Sequence, residues 1–213
     1  MRIHKNPSLE NEAPLTASIK DVKEAKGEDT MSKTEDSINK EQRTQLISDE
    51  MSLLLCTQLQ SELANHNLYN TFATYYGSKG LYKLVEYWKG RASEEYIHHQ
   101  WIFNYLIQCN VYFEYPEIPI TKTEIEDLID PFNFTVDREI ETTGGINNIM
   151  NKAMSEGDWL TVAFLLGNGT VEGKLIPEQS EEMKLSMDVL NIAKQDTDWM
   201  TKQESIYNLY FKS

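Results

Sequence analysis

The feature that most constrains this fold is a helical spacing of side chains that runs through two long segments of the sequence. In the first segment, steps of three and four residues define a face made of Leu55, Leu59, Glu62, His66, Tyr69, Ala73 and Tyr76. The same spacing in the second segment gives Leu84, Trp88, Arg91, Glu95, His98, Ile102 and Tyr105. Such periodicity predicts two long amphipathic α-helices. Because only the short turn GSKG at 77–80 separates them, the two helices are predicted to be antiparallel neighbours.

The second half of the chain predicts another pair of helices. A third helix is expected from about Pro131 to Met154, and its face would consist of Phe132, Val136, Glu139, Thr143, Ile146, Met150 and Ala153. A fourth begins near Asp158, is interrupted by GNGTVEGK, and resumes from Pro177 to about Lys194. The amphipathic ending DWMTKQESIYNLYF predicts a short fifth helix.

The connection between the two pairs is long and shows no periodicity. Residues 109–130 include YPEIP, and about 20 extended residues reach up to roughly 66 Å, more than the length of a helix of about 28 residues. This segment can therefore run from one end of a bundle to the other. The sequence predicts an all-α four-helix bundle with a long crossover between its second and third helices.

Composition narrows the function classes and the domain boundaries. The formal net charge of −14 argues against binding of nucleic-acid backbones and favours cations. No run of 18 apolar residues predicts a membrane span, and the N-terminus has neither an apolar signal region nor the basic character of a transit peptide. Cys56 and Cys109 match no metal spacing and predict reduced thiols in a cytoplasmic protein. Residues 1–44 are polar and predict a flexible extension, which leaves 45–213 as the folded domain.

Three glutamates fall on the apolar faces, near the middle of three helices. Glu62, Glu95 and Glu139 would be costly to bury unpaired, and facing carboxylates repel one another. A divalent cation removes that penalty. The alternative is that each meets a basic residue, for which Arg91 and Arg138 are available. Because three carboxylates face only one clearly inward arginine, a bound metal is favoured over pairing with basic residues.

The stretch EEYIHHQW supplies the first nitrogen donor for such a site. Glu95 and His98 lie one helical turn apart, a spacing that presents a carboxylate and an imidazole to a metal pair within a helical bundle. His99 is predicted to be a partly buried polar residue instead. On the fourth helix, EQSEEM places Gln179 and Glu182 on one face.

From about Leu46 onward the chain resembles the bacterial non-haem ferritins. The resemblance rests on motifs in all four helices: Glu62 followed by Tyr69, Glu94-Glu95-x-x-His98, Glu139 ahead of Ile146 and Asn147, and Glu178-Gln179-x-Glu181-Glu182. It implies a ferritin-like bundle with one iron position at Glu62, Glu95 and His98. It implies a second at Glu95, Glu139 and Glu182 with Gln179 nearby, and a third at Glu94, Glu178 and Glu181. Tyr69 would lie beside the pair as part of the catalytic set, although a core aromatic with a bonded hydroxyl is the plainer interpretation.

The resemblance also implies an activity and an assembly. The protein would be a ferroxidase that binds two iron ions per subunit, with a third iron position, and oxidises Fe(II) with O₂ or peroxide. It would store the ferric mineral in a homo-oligomeric cage of 24 subunits. The acidic charge and the lack of a long apolar run predict neither nucleic-acid nor membrane partners. The fifth helix would then be buried between subunits, or would fold back on its own bundle. Two other functions stay open: a non-catalytic helical-bundle interaction protein, and another ferritin-like di-iron oxidoreductase, which would usually repeat Glu-x-x-His on the fourth helix.

Two features depart from the family pattern. An insertion of about seven residues around GNGTVEG would put Glu172 and Leu175 at the ligand positions if residues were counted straight through. Leucine cannot bind a metal, so the register is shifted to Gln179 and Glu182, since seven residues amount to two helical turns. In addition, Gly144 and Gly145 fall inside the third helix, where each costs roughly 1 kcal/mol relative to alanine.

Overall fold

The computed structural model describes residues 44–118 and 123–212. The predicted flexible extension, apart from Thr44, lies outside these residues. Within them all regular structure is helical, in the order α1 Asp49–Ser78, α2 Tyr82–Gln108, α3 Asp130–Glu156, α4 Trp159–Leu166, α5 Leu175–Ala193 and α6 Trp199–Phe211. The all-α fold predicted from the spacing is confirmed. Among the described helices, none is both long enough and apolar enough to cross a membrane.

The helix α1 and the helix α2 form the predicted antiparallel hairpin. The hydroxyl of Ser48 accepts a hydrogen bond from the amide of Met51 at the start of α1, and the turn after α1 places Gly80 at φ +75°. Beyond α2, Val111 packs at the end of the bundle where α1 begins. Leu128 packs at the opposite end. The described parts of the crossover thus lie at both ends of the bundle, as its length predicted.

The fourth helix of the bundle is split into α4 and α5. The helix α4 ends at Gly167, whose φ of +80° is left-handed, and α5 begins at Leu175, two residues before the predicted Pro177. Residues 167–174 between them are not helical. Phe164 near the end of α4 stacks on Tyr105 of α2 with ring centroids 4.1 Å apart, which anchors the short helix beside the break.

The buried face of α3 differs in part from the prediction. Thr135, Thr142 and Ile149 are buried, whereas the predicted Val136 and Thr143 are only half-buried. The hydroxyl of Thr135 donates to the carbonyl of Pro131. A threonine satisfied in this way by its own helix can be buried without an unpaired polar group.

Two separate apolar cores fill the bundle, one at each end. The first includes Leu59, Trp101, Ile146 and Leu175. The second includes Leu68, Ala92, Phe132 and Val189. On every long helix the two cores are separated by buried polar side chains, which form a charged layer across the middle of the bundle.

The C-terminal helix α6 packs on its own bundle. Ile206 is 0 % exposed and belongs to the second apolar core, and the ammonium of Lys202 donates to the carbonyl of Ala193 at 2.8 Å. Tyr210 lies over Gly90 of α2, where an added Cβ would be 2.5 Å from the tyrosine ring. Within one chain this segment therefore folds back on its own bundle, as the alternative expected, and its burial between subunits stays a prediction.

Candidate metal centre

The charged layer brings together two groups of potential metal ligands. The first consists of Glu62, Glu95 and His98, and the second of Glu95, Glu139 and Glu182. Within each group the ligand atoms lie within 4.8 Å of one another, and every member is buried. Glu95 belongs to both groups. All four long segments of the bundle contribute, because the inward positions of α1, α2, α3 and α5 meet at this level.

The first group has carboxylate oxygens without a partner. Gln58 donates its side-chain amide to one oxygen of Glu62 at 2.6 Å. The other oxygen of Glu62, and Oε1 of Glu95, are buried without a hydrogen-bond partner among the described residues. Unpaired buried carboxylate oxygens are costly, and a cation placed between them and the imidazole of His98 would satisfy both.

The second group is held by Arg91, which is 0 % exposed. Its guanidinium lies 2.6 Å from Glu139 and 3.2 Å from Glu182, and 3.9 Å from Glu95. The sequence had offered Arg91 as the alternative to a metal, and for this group the ion pairs are real. Arg138, the other candidate, bonds to Asn65 at 2.8 Å instead of to a carboxylate of the centre.

Glu139 is the most heavily hydrogen-bonded carboxylate of the centre. The hydroxyl of Tyr69 donates to its Oε1 at 2.8 Å, and the amide of Gln179 donates to its Oε2 at 2.8 Å. Burial, together with the charge of Glu139, raises the pKa of Tyr69 well above its usual value, so the phenol stays protonated and acts as a donor. Tyr69 and Gln179 thus fix the orientation of Glu139.

Burial also changes the protonation of the acids. Desolvation and the charges of Glu182, Glu139 and Glu62 raise the pKa of Glu95 well above its usual value. Desolvation likewise raises the pKa of Glu182, although the guanidinium of Arg91 opposes this. Because a metal binds the deprotonated carboxylate, a metal that bound here would have to displace any proton these acids hold.

The outer acids lie around a cavity beside the centre. Its volume is about 260 Å³, and its lining consists of Arg91, Glu94, Glu178, Glu181, Glu182, Leu185, Leu209 and Tyr210. Glu94 accepts hydrogen bonds from Arg91 at 3.1 Å and from the hydroxyl of Tyr210 at 2.7 Å, and Glu178 pairs with Lys174. In the described part of the chain, Glu94, Glu178 and Glu181 share this cavity without forming a close ligand group.

A protein-family profile described as "Ferritin-like domain" matches residues 53–184. The chain belongs to the ferritin-like domain family. The match begins in α1 and ends in α5, so it covers every residue of the two ligand groups.

Individual ferritins are similar to this chain at low sequence identity. A bacterial non-heme ferritin of Staphylococcus haemolyticus is 23% identical over 120 residues, which cover 56% of this chain and 72% of that protein. The Staphylococcus aureus (strain USA300) protein of the same name is 22% identical over the same shares. Among solved structures, an open pore ferritin of Archaeoglobus fulgidus superposes with a TM-score of 0.68 at 21% identity, over 77% of this chain and 98% of that one. These likenesses establish the ferritin-like fold.

The shifted register of the fourth helix agrees with the position of Glu182 in this ferritin-like bundle. Glu182 is 5% exposed and belongs to the second group. Glu172 is exposed in the loop between α4 and α5, and Leu175 lies in the first apolar core. His99 was predicted to be only partly buried, which was wrong, because this side chain is fully buried. One ring nitrogen lies 3.0 Å from the carbonyl of Leu59, and the other bonds to Tyr115 of the crossover.

The sequence reasoning missed Gln58 and Asn65, two buried amides of α1. Gln58 orients Glu62, and its place in the bundle explains a glycine in α3. A Cβ on Gly145 would lie 2.2 Å from the side-chain oxygen of Gln58, whereas one on Gly144 would meet nothing within 4 Å. Gly145 therefore makes room for a residue that positions a candidate ligand. The glycine pair in a helix was the signal that could have indicated this close approach.

Proposed function

We propose that this protein is an iron-storage ferritin that oxidises Fe(II) at the buried carboxylate and histidine centre. The observation that carries the proposal is the pair of adjacent ligand groups that share Glu95. Its substrates are Fe(II) and O₂ or peroxide. The names of the bacterial relatives, non-heme ferritins, support the same class.

The donor set favours iron over softer metals. Carboxylate oxygens dominate both groups and His98 is their single imidazole, whereas zinc and copper sites are richer in nitrogen or sulfur. Glu95 would bridge two ions at the separation of about 3.5–4 Å that is typical of two-metal sites. We therefore propose two Fe(II) positions per subunit. Glu62, Glu95 and His98 form one, and Glu95, Glu139 and Glu182 form the other.

The chemistry requires two electrons from two substrate ions. Each Fe(II) gives up one electron, and O₂ takes both with two protons to leave as hydrogen peroxide, while a peroxide oxidant would leave as two waters. The protein contributes orientation and exclusion of bulk water. Gln58 holds Glu62, Tyr69 and Gln179 hold Glu139, and an apolar core lies on either side of the layer.

The storage function needs a shell, and we propose that residues 45–213 assemble into a closed homo-oligomer of 24 copies. The family membership supports self-assembly, and a structural relative is described as an open pore ferritin. Residues 1–44 would be an extension of this unit. We further propose that Glu94, Glu178 and Glu181 offer a third iron position, because they line one cavity beside the centre.

Anaerobic addition of Fe(II) followed by air tests the proposal, with light scattering on the same sample. We expect binding of two Fe(II) per chain, a rapid rise of ferric absorbance on adding air, and a particle far larger than a dimer. Oxidation no faster than in buffer would contradict the ferroxidase activity. A monomer or dimer would contradict the storage shell and leave the metal centre standing.

One observation favours a second candidate function. Arg91 already neutralises part of the second group, as expected for a structural core without a metal. A non-catalytic helical-bundle protein would bind no Fe(II) in the titration. Under that outcome the buried acids would be a structural ion-pair network.

A further inference from the structure

The two ligand groups are not equally free to accept a cation. Both amino nitrogens of Arg91 lie among the carboxylates of the second group, at 2.6 Å from Glu139 and 3.2 Å from Glu182. The third member, Glu95, is 3.9 Å away. The guanidinium carbon also lies 5.7 Å from the ring centroid of Tyr69, which adds a cation–π contact. The second group therefore already contains a positive charge.

In the first group Arg91 approaches only the shared Glu95, at 3.9 Å, which is beyond hydrogen-bond distance. Among the described contacts, Glu62 receives a neutral amide from Gln58 and no charged donor. One oxygen of Glu62 and one of Glu95 are buried without a hydrogen-bond partner in the described part of the chain. These oxygens and His98 offer a place where a cation gains partners without breaking a hydrogen bond from a charged donor.

We propose that Arg91 is the resident cation of the second group, so that divalent cations fill the first group before the second. This inference rests on the proposed metal-binding function and adds an order of filling to it. A cation that enters the second group must break the hydrogen bonds from Arg91 to Glu139 and Glu182, and hydrogen bonds to charged groups are strong. The first group imposes no such exchange.

The cavity beside the centre could accept the guanidinium of Arg91 once a cation displaces it from the second group. One amino nitrogen of Arg91 is already 3.1 Å from Glu94, which faces the cavity of about 260 Å³ beside the centre. Glu178 and Glu181 line the same cavity. Rotation of the side chain toward these outer acids keeps the ion pair with Glu94 and vacates the second group. Filling of the second group then places Arg91 among the outer acids, where it competes with the proposed third iron position.

Zinc is a suitable probe because it binds without redox chemistry. Crystals of the full chain, equilibrated with graded concentrations of Zn(II), would be measured by anomalous diffraction at the zinc edge, which gives the occupancy of each group separately. In the wild-type protein we expect half-filling of the second group at a Zn(II) concentration at least about tenfold higher than for the first, the equivalent of one hydrogen bond to a charged group. At high zinc, the guanidinium should lie at Glu94.

Arg91→Gln should bring the two filling concentrations to within about threefold of each other, because the competing charge is gone. Arg91→Lys is the second variant, should the glutamine protein fold poorly. It keeps the charge, but a single ammonium lacks the planar fork of the guanidinium. The difference between the zinc concentrations that half-fill the two groups should therefore become smaller. The matched control is Arg138→Gln, which removes a nearby half-buried arginine that bonds Asn65 and none of the four acids. It should leave the order of filling unchanged.

Parallel filling of both groups in the wild-type protein would overturn the role of Arg91 and leave the proposed metal centre intact. The same holds if Arg91→Gln retains the full tenfold difference. If neither group takes up zinc in either protein, the metal centre itself is wrong, and the proposed function falls together with this inference.

Discussion

Glu95 is shared by the two ligand groups, and its two oxygens have different surroundings. Oε1 is buried without a hydrogen-bond partner among the described residues, while Oε2 lies 3.5 Å from the amide of Asn65, at the limit of a hydrogen bond. This carboxylate is therefore weakly satisfied within the protein. Its environment suits a group whose partner is a bound cation.

Glu95→Ala should be the most damaging single substitution for Fe(II) oxidation, because it removes a ligand from both groups. We expect oxidation to fall to the buffer rate. Folding should persist and the metal-free protein should gain stability, since a buried and poorly paired carboxylate is removed. Stopped-flow absorbance and thermal unfolding measure the two effects. A variant that oxidises Fe(II) at the full rate would refute the bridging assignment.

The raised pKa values of Glu95 and Glu182 predict how the metal-free protein responds to pH. Between the unfolded value near 4.5 and the raised folded value, the folded state holds more protons than the unfolded state. Stability therefore decreases as pH rises through that window. We expect the metal-free protein to lose stability as pH rises above the unfolded value near 4.5.

Denaturant unfolding at several pH values measures this dependence. Glu95→Gln places a side chain that is neutral at every pH, so it should reduce the dependence of the unfolding free energy on pH. Glu182 would account for the pH dependence that remains. The matched control is Glu141→Gln on the exposed face of α3, which should leave the slope unchanged. If Glu95→Gln leaves the dependence of stability on pH unchanged, the raised pKa of Glu95 is contradicted.

At the scale of single elements, the split fourth helix carries a direct test of register. Glu182 lies in the buried layer on α5, and Glu172 is exposed in the loop before it. Glu182→Ala should slow Fe(II) oxidation severely, because it removes a ligand of the second group. Glu172→Ala should leave the rate within about twofold, as surface substitutions usually change little. The reverse ranking in initial rates would mean that the insertion is placed elsewhere.

The glycine pair of α3 offers a matched comparison within one helix. Gly145→Ala places a methyl group where the Gln58 side chain now lies, so the glutamine must move away from Glu62. We expect weaker metal binding at the first group with little change in melting temperature, because the displaced atoms end a flexible side chain. Gly144→Ala meets nothing within 4 Å and should stabilise the protein by about 0.5–1 kcal/mol. Zinc titration and thermal unfolding separate the two variants, and equal zinc affinities would contradict the role of Gln58.

The helical spacing indicated which acids face inward, because residues on one helical face share a side of the bundle. It places Gln58, four residues before Glu62, near the same face, but it could not show that this side chain fits only because Gly145 of α3 has no side chain. Nor could it show that Arg91 contacts Glu139 and Glu182, since this depends on how far a long side chain reaches across the bundle. The buried face of α3 also differs from the predicted one. A threonine can be buried when its hydroxyl donates a hydrogen bond to a carbonyl of its own helix, as Thr135 does, and the spacing of apolar residues does not reveal this.

For the whole molecule, the C-terminal helix links the fold to the surroundings of the centre. Deleting residues 198–213 removes Ile206 from the second core and Tyr210 from Glu94, but none of the members of the two ligand groups. We expect a loss of at least about 2 kcal/mol of stability from the buried isoleucine alone, with rapid oxidation retained. Calorimetry and stopped-flow absorbance measure these outcomes.

Tyr210→Phe is the matched control for this deletion, because it removes only the hydroxyl that bonds to Glu94. It should keep the melting temperature within a few degrees. A truncated protein that is as stable as the full chain would show that α6 does not pack on its own bundle. Light scattering on the same sample reports whether the deletion also changes assembly.

The division of the apolar interior into two cores has a consequence for protein engineering. Among the residues that the structure describes, no buried apolar side chain belongs to both cores. Substitutions at sites that share no contacts usually have additive effects on stability. Thermostabilising changes can therefore be selected separately at each end of the bundle and then combined. The charged layer between them can be left untouched, so a more heat-resistant variant could be built while the candidate metal ligands keep their native identities.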